Sequence, residues 1–227
     1  MTRQRFGLLL ALASAVIITG CQGGGGSADG PAPVTAETAK MTPEQGLSEA
    51  WTYRDPDFDP HAYHKVMIEP EAHVYQGPGA DYGDISPEEA QKMAQMLPDE
   101  TLALLRSRDY LVSEAGPGVL KLRFTVVKID STVPIVSTLT RIIPMSAAIN
   151  LGREAMGAGG SLTGSVTIVV EAIDSQTGKS LVVTQRHVNP KAFDLESTLG
   201  TEETARAVAK RVAEDIVARM DRVAGSS

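Results

Sequence analysis

Cysteine is almost absent from this chain of 227 residues, in which Cys21 is the only one. A lone cysteine cannot form an intramolecular disulfide, and it cannot build a structural zinc site that needs several thiolates. The fold must therefore rest on its hydrophobic core. A domain of roughly 180 residues buries enough apolar surface for that purpose.

Aromatic residues and positive charge are also scarce. Aromatic side chains make up 4% of the sequence, and 21 basic residues stand against 28 acidic ones, for a net charge of −7. Without residues 1–20, which contain two arginines and no acidic residue, the charge would be −9. An acidic chain with few stacking platforms is poorly suited to bind nucleic acid, so we expect no nucleic-acid partner.

Long apolar runs are missing apart from one near the start, from Phe6 to Ile18. That run is too short for a membrane span, which needs about 20 apolar residues. Arg3 and Arg5 precede the run, and small residues follow it. A positive start, a short apolar run and a small-residue exit are the three parts of a secretory signal peptide, which we place at residues 1–20.

The exit of this signal reads Ile18-Thr19-Gly20-Cys21 and resembles a lipobox. The resemblance implies that the Cys21 thiol receives a diacylglycerol, that the signal is cut before it, and that the new N-terminus is acylated, for example with palmitate. The alternative is an ordinary signal that ends near a buried cysteine. Gln22 stands where an Asp would mark retention in the inner membrane. We therefore expect a protein that is lipid-anchored to the outer membrane and faces the periplasm.

The residues after Cys21 are rich in Gly, Ala, Pro and Thr. Such a composition predicts a flexible tether, which we place at residues 21–44. The rest of the chain, residues 45–227, is the length of one domain.

Three stretches predict strands. Residues 64–70 form a short apolar run that ends at a proline, and residues 118–130 alternate between apolar and polar side chains. Residues 162–188 predict a hairpin whose turn is Asp174-Ser175-Gln176-Thr177-Gly178.

Two stretches predict helices. The first begins at Ser86 with a capping-box pattern, and Pro98 either kinks it or marks the start of a second helix. The second covers residues 202–223, with apolar residues at three- and four-residue steps. The predicted fold class is α+β, an antiparallel sheet of about four strands with helices packed on one face.

Several segments resemble a bacterial lipoprotein family whose domain is of unknown function (number 3313). The segments are "YRDPDFDPHAYHKVMIEP", "YGDISPEEAQKMA", "EAGPGVLKLRFTV" and "EAIDSQTGKSLVV", and the resemblance covers about residues 49–220. It implies a lipobox, which maps onto Cys21. It implies no catalytic or ligand-binding residue.

Two constellations have some features of metal sites. Asp55, Asp57 and Asp59 alternate as in a calcium loop, but the glycine and glutamate that the loop needs at its sixth and twelfth positions are missing. His61 and His64 stand three residues apart, and a catalytic zinc site needs a third ligand. The G-x-S-x-G pattern of serine hydrolases is absent as well. We expect no metal, no cofactor and no enzymatic activity.

Residues 131–160 form an apolar connection between two predicted strands. This connection either forms part of the core or presents a docking surface for another envelope protein, with Ile135, Leu139 and Ile142 as the contact patch. The sequence thus favours a binding or assembly module. The alternatives are a carrier of an apolar ligand, which needs a cavity between the sheet and the helices, and a hydrolase, which needs a histidine and an acid clustered in a cleft.

Overall fold

The computed structural model describes residues 30–47, 49–106, 108–130, 164–189 and 201–225. Within these ranges the chain forms seven strands and two α-helices. The elements are β1 (Thr42–Pro43), β2 (Ala50–Arg54), β3 (Lys65–Ile68), β4 (His73–Val74), α1 (Pro87–Leu105), β5 (Val119–Asp130), β6 (Ser165–Asp174), β7 (Ser180–Val188) and α2 (Thr201–Gly225). The predicted α+β class is confirmed.

All seven strands belong to one sheet, in the order β1-β2-β7-β6-β5-β3, with β4 also paired to β5. The prediction of about four antiparallel strands is wrong in number, and it missed two parallel pairings. Both β3 and β4 run parallel to β5, along the edge that β6 leaves open. Two of the strands missed in the sequence have two residues each, too short for any alternation to show.

The long strand β5 shows the alternation that the sequence predicts. Its residues Leu122, Phe124 and Val126 are buried on the face that carries the helices. Val127 lies on the opposite face, and the register with β6 shifts between Val126 and Lys128, which returns Ile129 to the helix-facing side. A bulge of this kind bends a strand and increases its twist.

The β6–β7 hairpin turns where the sequence predicts. The N–H of Gly178 donates to the carbonyl of Asp174 at 2.9 Å, and Gly178 has φ of 73°. The carboxylate of Asp174 also accepts from the backbone N–H groups of Gln176 and Thr177, at 3.0 and 2.7 Å. Aspartate and glycine therefore define this turn through their side-chain and backbone chemistry.

Helix α1 is a single helix, so the alternative of a second helix after Pro98 is wrong. The capping box is present: the Ser86 hydroxyl accepts from the Glu89 N–H, and the Glu89 carboxylate accepts from the Ser86 N–H. Helix α2 lies beside α1 and runs in the same direction, since Lys92 and Glu202 pair near the two helix starts and Arg108 and Asp221 pair near the two ends. Across the described part of the chain, neither helix is long and apolar enough to cross a membrane.

Part of the other face of the sheet is covered by residues that precede β2. Val127, Val169 and Val183 are buried there, and Ala32, Val34 and Met41 pack against them. Residues 38–40 form a 3-10 helix. The described part of the stretch predicted as a tether thus lies on the sheet.

Candidate functional site

A cavity of about 450 Å³ lies between the helix-facing side of the sheet and the C-terminal half of α2. Four strands and α2 supply its apolar lining: Val66, Leu120, Leu122, Ile168, Val170, Ala172, Val182, Val188, Val212, Ile216, Met220 and Val223. Ligand-binding pockets in proteins typically enclose about 300–1,000 Å³ and are lined mainly by apolar side chains. The volume and the lining are those of a small-molecule site.

The cavity exists because the helices close over only part of the sheet. Beneath α1, Phe124 and Val126 are each 1% exposed. The N-terminal half of α2 packs tightly through Thr204, Ala205 and other small or medium side chains. Farther along α2, the helix faces β6 and β7 across the cavity. The sheet residues there remain only partly buried, namely Leu120, Val170, Ala172, Val182 and Val188.

Aromatic side chains stand at one end of the cavity. Phe58 and Tyr63 have ring centroids 5.6 Å apart, and Tyr110 lines the same space from the segment after α1. Each tyrosine is held by its hydroxyl: Tyr63 donates to Asp174 at 2.8 Å and Tyr110 donates to Asp221 at 3.1 Å. Burial, together with the hydrogen bond to Asp174, raises the pKa of Tyr63 to about 12. The two rings are therefore fixed as neutral walls.

Gly118 allows the chain to approach closely beside Tyr63. It has φ of +69°, and a Cβ there would lie 3.0 Å from the carbonyl oxygen of Ala62. Its own carbonyl accepts from the N–H of His64 at 3.0 Å. Any other residue would strain the backbone and push the Ala62 segment away from the start of β5.

Arginines surround the apolar lining. Arg54, Arg186, Arg211, Arg219 and Arg222 all line the cavity, whereas Asp215 is the one carboxylate among its described lining residues. Arg186, Asp215, Arg219 and Arg222 also line an adjacent polar recess that includes Glu44. These residues thus stand between the apolar space and the surface, and we call them, together with Arg211 and Glu44, the arginine boundary.

Two carboxylates are shared among the arginines of this boundary. Glu44 accepts from Nη2 of Arg186 at 2.9 Å and lies 3.8 Å from Nη2 of Arg219. Asp215 lies 3.6 Å from Nη1 of Arg186 and 3.8 Å from Nε of Arg211. Among the described residues that line the cavity and the recess, arginines therefore outnumber carboxylates, in a chain that is acidic overall.

Two further features of these arginines favour an anion beside them. Burial and then repulsion by Arg186 lower the pKa of Arg219, although Glu44 and Asp215 act in the opposite direction. The buried Nε of Arg186 has no hydrogen-bond acceptor within the described structure. An unsatisfied buried donor is uncommon in folded proteins and calls for an explanation.

The residues considered as metal ligands do not assemble into one site. Asp55 is buried and pairs with Nζ of Lys179 at 2.8 Å, whereas Asp59 accepts from the N–H of His61 and caps a short 3-10 helix. His64 lines the aromatic end of the cavity. Among the residues that the structure describes, no group of three or more His, Cys, Asp or Glu side chains could hold a metal ion.

One row of residues has the order of a nucleophile, a base and an acid, but it lies on the outer face of the sheet. The hydroxyl of Thr167 is 3.1 Å from Nδ1 of His187, and Nε2 of His187 is 3.8 Å from the Glu49 carboxylate. Neither His187 nor Thr167 lines the cavity. These three residues form polar contacts between neighbouring strands, away from the cavity.

Other residues singled out in the sequence lie outside the described part of the chain. These are Cys21 and the proposed contact patch of Ile135, Leu139 and Ile142. Lipidation at Cys21 and contact with another envelope protein therefore stay predictions.

Neither the arginine boundary nor the cavity itself was predicted from the sequence. A signal was present: Val182, Thr184, Arg186 and Val188 alternate onto one face of β7, so that face carries a cation among apolar residues. In the last turns of α2, Arg219 and Arg222 stand next to Met220 and Val223 of the apolar stripe. Basic residues at a helix C-terminus are also explained by the negative end of the helix dipole, so the sequence gives no reason to connect them with Arg186.

Comparison with known proteins gives one family match and several structural likenesses. The model of DUF3313, "Protein of unknown function", matches residues 34–216. The fold is similar to the PelC dodecamer from Paraburkholderia phytofirmans, with 11% identity and a TM-score of 0.36, covering 73% of this chain and 96% of that chain. It is also similar to a "putative lipoprotein" from Caulobacter crescentus CB15, with 12% identity and a TM-score of 0.33, covering 70% and 92%. No curated protein matches this chain.

Proposed function

This chain belongs to the DUF3313 family of proteins of unknown function, and we propose from its lipobox-like sequence and the geometry of its cavity that it is an envelope lipoprotein that binds an apolar ligand without catalysis. The ligand occupies the cavity between the sheet and α2. Of the functions that the sequence left open, a carrier is the one that needs such a cavity.

The observation that carries this proposal is the apolar lining that the fold leaves partly exposed. Protein interiors are normally packed as densely as organic crystals, with few voids larger than a water molecule. The space of about 450 Å³ beneath α2 is much larger than such a void. A bound apolar ligand would remove its own surface and that of the lining from water, at about 25 cal/mol for each Å².

The signal and lipobox support an anchor at Cys21 on the periplasmic face of the outer membrane. One acyl chain gives only marginal membrane binding, whereas the three chains of a mature lipoprotein hold the protein firmly. The test is Cys21→Ser expressed with labelled palmitate. The wild type should incorporate label and sediment with membranes, and the variant should do neither. An unlabelled wild type would overturn the anchor and leave the cavity proposal standing.

Ligand binding is tested with the neutral fluorophore N-phenyl-1-naphthylamine, whose emission rises in an apolar site. The protein is the full chain carrying Cys21→Ser, so that no acyl group of its own competes. Ala172→Trp fills the cavity from β6. Lys121→Trp adds the same ring on the outer face of β5 and serves as the control.

The expected result is saturable fluorescence that Lys121→Trp preserves and Ala172→Trp abolishes, with both variants melting cooperatively. Fluorescence that fails to saturate, or that survives Ala172→Trp, would overturn the proposal. If Ala172→Trp unfolds the protein, Val182→Trp fills the same cavity from β7 and repeats the test.

A further inference from the structure

The arginine boundary gives the ligand a second chemical feature besides its apolar part. Resting on the proposed function, we infer that the ligand is a single-chain amphiphile with an anionic head, a carboxylate or a phosphate, held by Arg186 and Arg219 while its tail fills the cavity. Fatty acids and lysophospholipids share this chemistry.

The position of the charges supports this inference. Arg186 and Arg219 line both the apolar cavity and the polar recess beside it, so a head group between them leaves a tail free to enter the cavity. The guanidinium group is planar and binds carboxylate or phosphate through two parallel hydrogen bonds. A neutral apolar ligand would leave this chemistry unused.

The charge balance supports the same inference. Among the described residues that line the cavity and the recess, Arg54, Arg186, Arg211 and Arg219 outnumber the two carboxylates, Glu44 and Asp215. The helix dipole accounts for basic residues at the end of α2 but not for Arg186, which lies on β7. An anionic head group would relieve the repulsion between Arg186 and Arg219 and supply an acceptor near the unsatisfied Nε of Arg186.

The aromatic end of the cavity does not favour a cationic head group, or a zwitterionic one that binds through its positive group. Tyr63 and Tyr110 offer aromatic rings at the far end of the cavity, but Arg54 already lies over the Phe58 ring, 4.9 Å from its centroid. The positive charge of Arg54 would repel a second cation at this end of the cavity. The aromatic end therefore suits the tail.

The experiment compares laurate, dodecyl phosphate and 1-dodecanol by calorimetric titration, below the critical micelle concentrations of the two anions and below the solubility limit of the alcohol. The protein is again the full chain carrying Cys21→Ser. Laurate or dodecyl phosphate should bind at least about tenfold more tightly than 1-dodecanol, as expected for a charge-assisted hydrogen bond. The tighter of the two anions identifies carboxylate or phosphate as the natural head group.

Arg186→Gln and Arg219→Gln should each remove most of this preference and leave 1-dodecanol binding within about twofold. Lys210→Gln, which removes the same charge from an exposed position on α2, should keep it. Because Arg219 is about half exposed, its variant keeps the test available if Arg186→Gln does not fold.

The possible failures are distinct. Equal affinity for all three probes would overturn the anionic head and leave the apolar carrier standing. A preference that survives both arginine variants would overturn the assignment of the head site. If none of the three probes binds, both proposals are overturned.

Discussion

Arg186 and Glu44 form the shortest ion pair of the arginine boundary, with Nη2 of the arginine 2.9 Å from each carboxylate oxygen. The two residues are separated by 142 positions in the sequence, and they connect β7 to the segment between β1 and β2. Their contact neutralises part of the positive charge at the edge of the cavity.

Glu44→Gln is predicted to strengthen laurate binding several-fold, because it removes a carboxylate that competes for Arg186 and Arg219. The loss of stability should stay below about 1 kcal/mol, as is usual for ion pairs near the surface. Calorimetric titration and thermal melting measure the two effects. Glu214→Gln, an exposed position on α2, should change neither. Weaker laurate binding by Glu44→Gln would show that Glu44 orients the arginines instead of competing with the ligand.

Asp174 is predicted to contribute to acid sensitivity. The hydrogen bond from the backbone N–H of Thr177 lowers the pKa of this carboxyl, and burial acts in the opposite direction. Hydrogen bonds from the hydroxyl groups of Tyr63 and Thr177 lower the pKa further. Since the folded pKa lies below the unfolded value of about 3.9, the ionised form stabilises the fold above that pH. This contribution is lost as the pH falls through the folded pKa.

The measurement is the urea midpoint between pH 6 and pH 2. It should fall below about pH 4, and Asp174→Asn should make the fall shallower while lowering the midpoint at pH 6. Asp84→Asn, at an exposed position, should leave the dependence of the urea midpoint on pH as it is in the wild type. Identical slopes for Asp174→Asn and the wild type would show that other carboxylates carry the acid response.

The fold was predictable from the sequence where periodicity extends over many residues. The alternation of β5, the Asp174–Gly178 turn and the apolar stripe of α2 all appear as expected. The strands β1 and β4 have two residues each and are defined by their partners rather than by their own pattern. Their pairing depends on contacts across the fold.

The site was harder to predict because it is created by what the helices leave uncovered. Val182 and Val126 have similar sequence contexts on alternating strands, yet Val126 is 1% exposed and Val182 borders the cavity. The difference arises from the path of α2, which no local pattern specifies. The neighbourhood of Arg186 and Arg219 likewise follows from packing a helix on a strand.

The same comparison gives a stability prediction. Val126→Ala should cost about 2 kcal/mol, since two methyl groups leave a fully packed site. Val182→Ala should cost less than about 1 kcal/mol, because its side chain already borders open space. Chemical denaturation of both variants measures the difference. Equal losses would mean that the cavity is filled in the folded protein without added ligand.

The capping box predicts a local contribution at the start of α1. Ser86→Ala should lower the free energy of unfolding by about 1 kcal/mol, because the Glu89 N–H loses its acceptor. Glu88→Ala changes a neighbouring residue of the same turn and should cost less. Urea denaturation followed by circular dichroism compares the two. A smaller loss for Ser86→Ala than for Glu88→Ala would show that the first-turn charge outweighs the cap.

The central claim is that the amphiphile enters the cavity beneath α2, and the methionines offer the most direct test. Met220 lines the cavity, whereas Met41 packs on the outer face of the sheet and Met67 points to that face from β3. The sample is the full chain carrying Cys21→Ser, labelled with carbon-13 at the methionine methyl groups. Methyl NMR spectra are recorded during titration with laurate, and the Met220→Leu variant assigns the Met220 resonance. The Met220 signal should shift and saturate with the calorimetric affinity while Met41 and Met67 stay unchanged. A Met220 signal that does not move while laurate binds, or one that shifts no more than Met41, would contradict the account.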